Sequence, residues 1–360
     1  MQVETAADPH EADSPTSDEA VTERTRNRRT ARLGIGVTIT FLIAMAFDWT
    51  LAYLAPVFVA PLLQAPAAPP LPTMARVLLV TFMIMLACFL VGGFARAYPL
   101  VFLVALIPAL FWTFRYSLRG GSSLIVALLL IGFMLLPMVA KVSPDTTREV
   151  AASFVGNIGL ALVVTMVMFA LFPTLRSEPV PVTKHVLQAA DVDRRAWIMT
   201  LITGSFTIAY FSFDWTNVHT PLYIAIFIQQ LSLARGLAVT KGILGANVAA
   251  GLIAMILYTL IVMAPNFAFM TALSLTVILI FARMIMSGAP WAPLAGAALS
   301  SMLIILGSAM GSFGDDSGNT FIDRLGEIGA AALYAVAALY LLDAFFPEKR
   351  PSSENSVNSN

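Results

Sequence analysis

Charge is what this sequence has least of. Only 12% of its 360 residues are Asp, Glu, Lys or Arg, while 58% are hydrophobic. Ordinary globular domains carry about twice that charge. A soluble fold needs polar surface to cover its core, and this composition cannot supply it. A soluble enzyme, a secreted disulfide scaffold and a mainly disordered chain are thereby excluded. The single cysteine, Cys88, sits in an apolar run, so no intrachain disulfide forms. Histidine is as sparse: no HExxH occurs, and of three histidines only His219 falls near an apolar segment, which argues against a zinc site. No GxxxxGK[ST] loop occurs, so the chain does not hydrolyse nucleotide alone. Gly311-Ser312-Phe313-Gly314-Asp315 comes close to the GxGD of intramembrane aspartyl proteases but is one residue too long. It reads instead as a flexible outer loop. Gly120-Gly121-Ser122-Ser123 has no His or Lys base in reach. The expectation is a non-enzyme without cofactor, metal or nucleic-acid partner.

What the chain does have is long apolar runs. A helix crossing the ~30 Å hydrocarbon layer needs ~20 apolar residues, because its backbone groups must be satisfied internally. Runs of that kind cover 76–95, 98–115, 122–140, 150–172, 242–263, 267–282, 290–310 and 326–346. The stretches 33–64 and 197–233 are each interrupted near an Asp and a Pro. Read as short helical hairpins they bring the total to twelve spans; read as single broken helices they give ten. The fold class expected is an all-α polytopic membrane protein.

The charges are segregated. Residues 1–23 hold seven acids and no Lys or Arg, which predicts a solvated, disordered tail over 1–27. Arg24, Arg26, Arg28, Arg29 and Arg32 then lead straight into the first apolar run. That sequence resembles a signal peptide, with Ala44-Met45-Ala46 in the place of a cleavage site. The same segment recurs in mid-chain, where no signal peptide belongs, and the reading is rejected. With the N-terminus inside and twelve spans, 17 of the 21 Lys and Arg fall on the cytoplasmic side. Both termini are then cytoplasmic. The ten-span arrangement spreads the charges similarly.

The two halves repeat each other. Phe47-Asp48-Trp49-Thr50 recurs as Phe213-Asp214-Trp215-Thr216, and Arg28-Arg29 as Arg194-Arg195, both at an offset of 166. Pro99 matches Pro265, Arg115 and Gly120 match Arg283 and Gly288, and Phe172-Pro173 matches Phe346-Pro347, with the offset growing to 174. Gly156-Asn157-Ile158-Gly159 matches Gly326-Glu327-Ile328-Gly329. Self-similarity at a fixed period is an architectural signature. Two parallel six-helix repeats, 28–173 and 194–347, are expected, joined by a cytoplasmic linker over 174–193 and followed by a polar tail over 348–360. An even number of spans per half relates the repeats by a pseudo-two-fold axis along the membrane normal.

Asp48 and Asp214 are the most informative residues, since an ionisable group inside a membrane is costly. A desolvated carboxylate has a raised pKa and can load and release a proton. Equally, each Asp ends one short helix and is placed to N-cap the next, with Trp49 and Trp215 in an outer aromatic belt. Arg115 and Arg283 end aromatic-rich spans; a guanidinium there binds a carboxylate in a fork, or simply snorkels as an anchor. Trp49 and Trp215 join these arginines as substrate-binding candidates. Asn157, Glu327 and His219 are secondary polar candidates, with close helix packing the alternative role for the first two.

The arginine-led first span, the Phe-Asp-Trp-Thr hairpin, Arg115 at the end of the fourth span and the Phe172-Pro173 exit of the sixth resemble the fusaric acid resistance and aromatic acid exporter superfamily. The likeness covers about residues 28–347 and is nearest to short, membrane-only bacterial members, a domain of unknown function. It implies a multi-pass protein of the bacterial inner membrane that exports small organic acids, aromatic carboxylic acids foremost, driven by the proton gradient. It also implies a haemolysin-secretion-type membrane-fusion adaptor and an outer-membrane channel as partners. The chain lacks the large cytoplasmic domain of the bigger exporters. A passive organic-anion channel and a non-transporting scaffold for an adaptor complex are the alternatives; a homo-oligomer is compatible with all three.

Overall fold

The computed structural model describes residues 17–173, 189–213, 220, 224–225, 228, 237–311 and 334. Among these there are ten helices and no strand. They are α1 (Ser17–Phe47), α2 (Ala55–Gln64), α3 (Leu71–Ala97), α4 (Pro99–Leu118), α5 (Ser123–Val142) and α6 (Pro144–Leu171). Then come α7 (Ala189–Ser212), which begins inside the stretch 174–193 expected as a linker, α8 (Leu237–Met263), α9 (Phe267–Ile285) and α10 (Ala292–Met310). Eight are long and apolar enough to cross a bilayer: α1, α3 to α6 and α8 to α10. The chain is therefore a multi-pass membrane protein in contact with lipid.

Proline and glycine set the breaks. Pro99 and Pro144 open α4 and α6 at the first helical turn, where a missing N–H costs nothing. The Ser143 hydroxyl accepts from the Thr146 amide, and the Asn266 side chain from the Ala268 amide, capping α6 and α9. Gly120 (φ 82°) and Gly288 (φ 72°) follow α4 and α9 in the left-handed region that favours glycine. Inside the helices, threonine hydroxyls such as those of Thr38, Thr40, Thr165 and Thr203 donate to the carbonyl four residues back. These hydroxyls are thus satisfied within their own helices, as an apolar surrounding demands.

α1 begins at Ser17, well before the predicted first span; residues 20–28 include good helix formers such as Ala20, Glu23, Arg24 and Arg26. Residues 1–16 lie outside the described residues. Over 33–64 the chain folds as a hairpin. α1 stops at Phe47, a turn and a short 3-10 helix (Ala52–Leu54) follow, and α2 runs back along α1. At ten residues α2 is only ~15 Å long. Its end nevertheless comes level with Arg32, whose guanidinium reaches the Leu63 and Ala65 carbonyls. α6 runs beside it, with Phe169 at the Arg32 level and Asn157 at the turn. The bundle therefore has an arginine end and an aspartate end. Arg115 and the start of α7 share the arginine end; Lys141 and the close of α7 share the other.

The core lies around α5 and α10. Within the membrane-spanning stretch 67% of α5 is buried but only 22% of α3, whose Leu79, Phe82, Leu86 and Leu90 face outward as a lipid-facing surface does. Cys88 is buried, against Gly132 of α5. Helix pairing is reciprocal across the chain. α4 packs on α7 and α1 packs on α9; α3 packs on α5 and α8 on α10. The predicted span 326–346 and most of 213–233 lie outside the described residues.

Candidate functional site

Two polar constellations sit at opposite ends of the bundle, one at the turn that follows α1 and one around Arg32 in the middle of α1. The first is the turn between α1 and α2. α1 closes with the Asp48 amide donating to the Ala44 carbonyl at 3.0 Å. Asp48 (φ 41°) and Leu51 (φ 56°) then both enter the left-handed region, which non-glycine residues visit at a cost of roughly 1 kcal/mol or more each. Long-range contacts hold the strained turn. The Asn157 amide group donates to the Leu51 carbonyl at 3.0 Å, and its carbonyl oxygen accepts from the Trp49 indole at 2.9 Å. The Thr50 hydroxyl donates to the Glu149 carboxylate. Asn157, Leu51 and Thr50 are buried, while Asp48 is exposed.

From the other half, α10 closes over this turn. A Cβ at Gly307 would collide with Tyr53, so only glycine lets the helix approach so near. One turn on, Gly311 lies beside the Asp48 carboxylate. The turn is thus wedged between α6 of the first half and α10 of the second. The capping role expected for Asp48 is not what the fold uses. Leu51 occupies the position before the 3-10 helix and Leu54 the one before α2, and neither start has a side-chain cap. Nor is Trp49 merely a belt residue, since its indole is spent on Asn157.

The second constellation is the arginine end. Arg115 is answered: its Nε lies 2.7 Å from an oxygen of Asp193 on α7, and its guanidinium is 5.0 Å from the Trp112 ring. Beside it Phe111 packs on Trp197 at 4.6 Å. Arg283 is exposed. At the repeat offset the residue of α1 that stands where Asp193 stands in α7 is Asn27, so an equivalent ion pair is not available to Arg283. The residue that sequence reading passed over is Arg32. It is fully buried, its Nη2 donates to the Leu63 carbonyl (3.0 Å) and the Ala65 carbonyl (2.9 Å), and its guanidinium stacks 3.8 Å over the Phe169 ring. Arg29, one turn earlier, donates to the Gln64 carbonyl at 3.3 Å. Together they cap the C-terminal end of α2, where carbonyls lack helical partners.

Asp214, Trp215, His219 and Glu327 lie outside the described residues. Arg115 and Asp48 are not brought together; they belong to opposite ends of the bundle. Among the described residues no three His, Cys, Asp or Glu side chains gather where they could hold a metal ion. Tests against known proteins add one finding. Residues 29–172 match a family described as protein of unknown function (DUF2955). That stretch begins in α1 at Arg29 and ends just past α6. No curated protein and no solved structure matches the chain.

Proposed function

We propose that this protein is a secondary transporter of the bacterial inner membrane, exporting small organic acids, chiefly aromatic carboxylic acids, in exchange for protons. The observation that carries this reading is the interrupted hairpin at Asp48–Leu51, wedged between the two halves of the bundle. Broken helices at corresponding places in two repeats are the usual location of transporter sites. Here the second copy of Phe-Asp-Trp-Thr begins at Phe213, where α7 has just ended at Ser212. The reciprocal pairing of α1 with α9 and of α4 with α7 is what a pseudo-two-fold axis between parallel repeats requires. Twelve spans follow when α2, α7, the repeat copy of α2 and the apolar run 326–346 are counted with the eight long apolar helices.

The arginine end is the cytoplasmic one in this reading, because Arg29, Arg76, Arg115, Arg119, Arg194 and Arg283 gather there. The aspartate end then faces outward, and an exposed Asp48 is open to protons from that side. The likeness to the aromatic acid exporters supports the substrate class and an adaptor partner.

The test is flux in proteoliposomes loaded with a panel of aromatic and aliphatic acids, with and without an imposed proton gradient. Gradient-driven movement of aromatic acids is the expected result. Movement that follows only the anion gradient would make the protein a channel. No movement of any acid by folded protein with its adaptor present would favour a scaffold.

A further inference from the structure

We propose that Arg29 and Arg32 form an oxyanion-binding site at the arginine end, one per chain, for a carboxylate or phosphate carried on an apolar body. The proposal does not depend on the transport reading. It stands on unspent donors in a buried place. A guanidinium carries five N–H groups. Arg32 is fully buried, and its Nη2 alone is spent, on two backbone carbonyls. Its Nε and Nη1, and the Nε of Arg29, are buried with no hydrogen-bond partner among the described residues. Buried polar groups are almost always paired, and charged ones most of all, so these donors point to a ligand.

The charge balance agrees. Arg29 and Arg32 are three residues apart on α1 and share a face. The helices packed against that part of α1 are α2, α6 and α9. α2 and α9 contain no Asp or Glu. α6 has two, Asp145 and Glu149, but Glu149, the nearer, is 20 residues from Phe169, about 30 Å along the helix. Among the described residues of these helices the two cations meet backbone carbonyls and one aromatic face; the nearest acid of α1 itself is Glu23, six residues before Arg29 and about 9 Å along the helix, with Arg24, Arg26 and Arg28 between. An anion completes the set: it meets the Nε and Nη1 donors while the Phe169 ring and the α2 carbonyls hold the guanidinium in place. Arg29 is only partly buried and gives the way in from the arginine end. The repeat position of Arg32 is Ile198, so the second half has no copy of the site.

The experiment uses the full chain in nanodiscs of neutral phosphatidylcholine, titrated calorimetrically with inorganic phosphate and with benzoate. Native mass spectrometry of protein taken from membranes containing phosphatidylglycerol runs in parallel. Arg29→Gln removes one cation at a part-exposed position, and Arg32→Lys keeps the charge while losing the planar donor set. Arg119→Gln, at an exposed residue of the same end, is the control. One-site binding of benzoate or phosphate, weakened roughly tenfold or more by both substitutions and untouched in the control, supports a soluble ligand. One retained phosphatidylglycerol, lost in both variants, with solutes binding only after lipid removal, supports the same site filled by a lipid headgroup. Neither binding nor retention overturns the proposal, and so does binding that both substitutions leave unchanged.

Discussion

Arg32 in α1 and Asp48, the first residue after it, lie about 24 Å apart along the helix axis in opposite surroundings. The arginine is buried among α1, α2 and α6, while the aspartate stands exposed on a turn whose Thr50 and Leu51 are the buried part. Burial of a charge here follows from what folds over it. α2 returns to the arginine end and covers Arg32 with its own last carbonyls. At the far end Asn157 and Glu149 bond the residues after Asp48 and leave the carboxylate outside. The middle of α1 is built to hold a cation in a fixed place. The stretch just past its C-terminus is built to hold a turn in a fixed shape with an acid at its rim.

Substitutions that strip each end should fall in a clear order. Arg32→Ala takes two charge-assisted hydrogen bonds from the α2 carbonyls together with the Phe169 stack. The expected loss is about 3 kcal/mol, read as a lower unfolding midpoint in nanodiscs. Asn157→Ala leaves the Trp49 indole and the Leu51 carbonyl without their partner and should cost about 2 kcal/mol, with increased hydrogen exchange confined to residues 48–54. Arg115→Gln breaks the ion pair with Asp193, whose side chain is 42% exposed; solvent screening holds the effect to about 0.5 kcal/mol or less. That contrast with Arg32, on the same end of the bundle, separates an answered arginine from a buried one. Asp48→Gly is expected to be neutral or stabilising, within about 1 kcal/mol, because glycine adopts φ 41° freely. A strong loss there would mean that the carboxylate itself supports the turn.

Hydropathy made most spans legible. The run 76–95 lies inside α3 (Leu71–Ala97), and 267–282 inside α9 (Phe267–Ile285). The sixth span, read as 150–172, starts earlier, at Pro144, and among the described residues the glycines with positive φ are Gly120 and Gly288, the repeat-related pair after Arg115 and Arg283. Those signals are local, and local signals survive in a single sequence. Arg32 gave none: an arginine beside an apolar run usually snorkels, and only α2 and Phe169, 31 to 137 residues away, bury it. Asn157 was visible as a polar residue among glycines, but its partners Trp49 and Leu51 are more than 100 residues distant. The depth of Asp48 was hidden for the same reason, since it depends on where the turn sits against α6 and α10.

The proposed export cycle uses Asp48 and its repeat copy Asp214 to couple proton movement to export. Its most direct test is benzoate efflux from proteoliposomes under an imposed proton gradient, comparing wild type with the Asp48→Asn, Asp214→Asn double variant. The account predicts that the variant unfolds at nearly the wild-type midpoint but loses the gradient-driven component of efflux. Unchanged gradient-driven efflux by the double variant would contradict it.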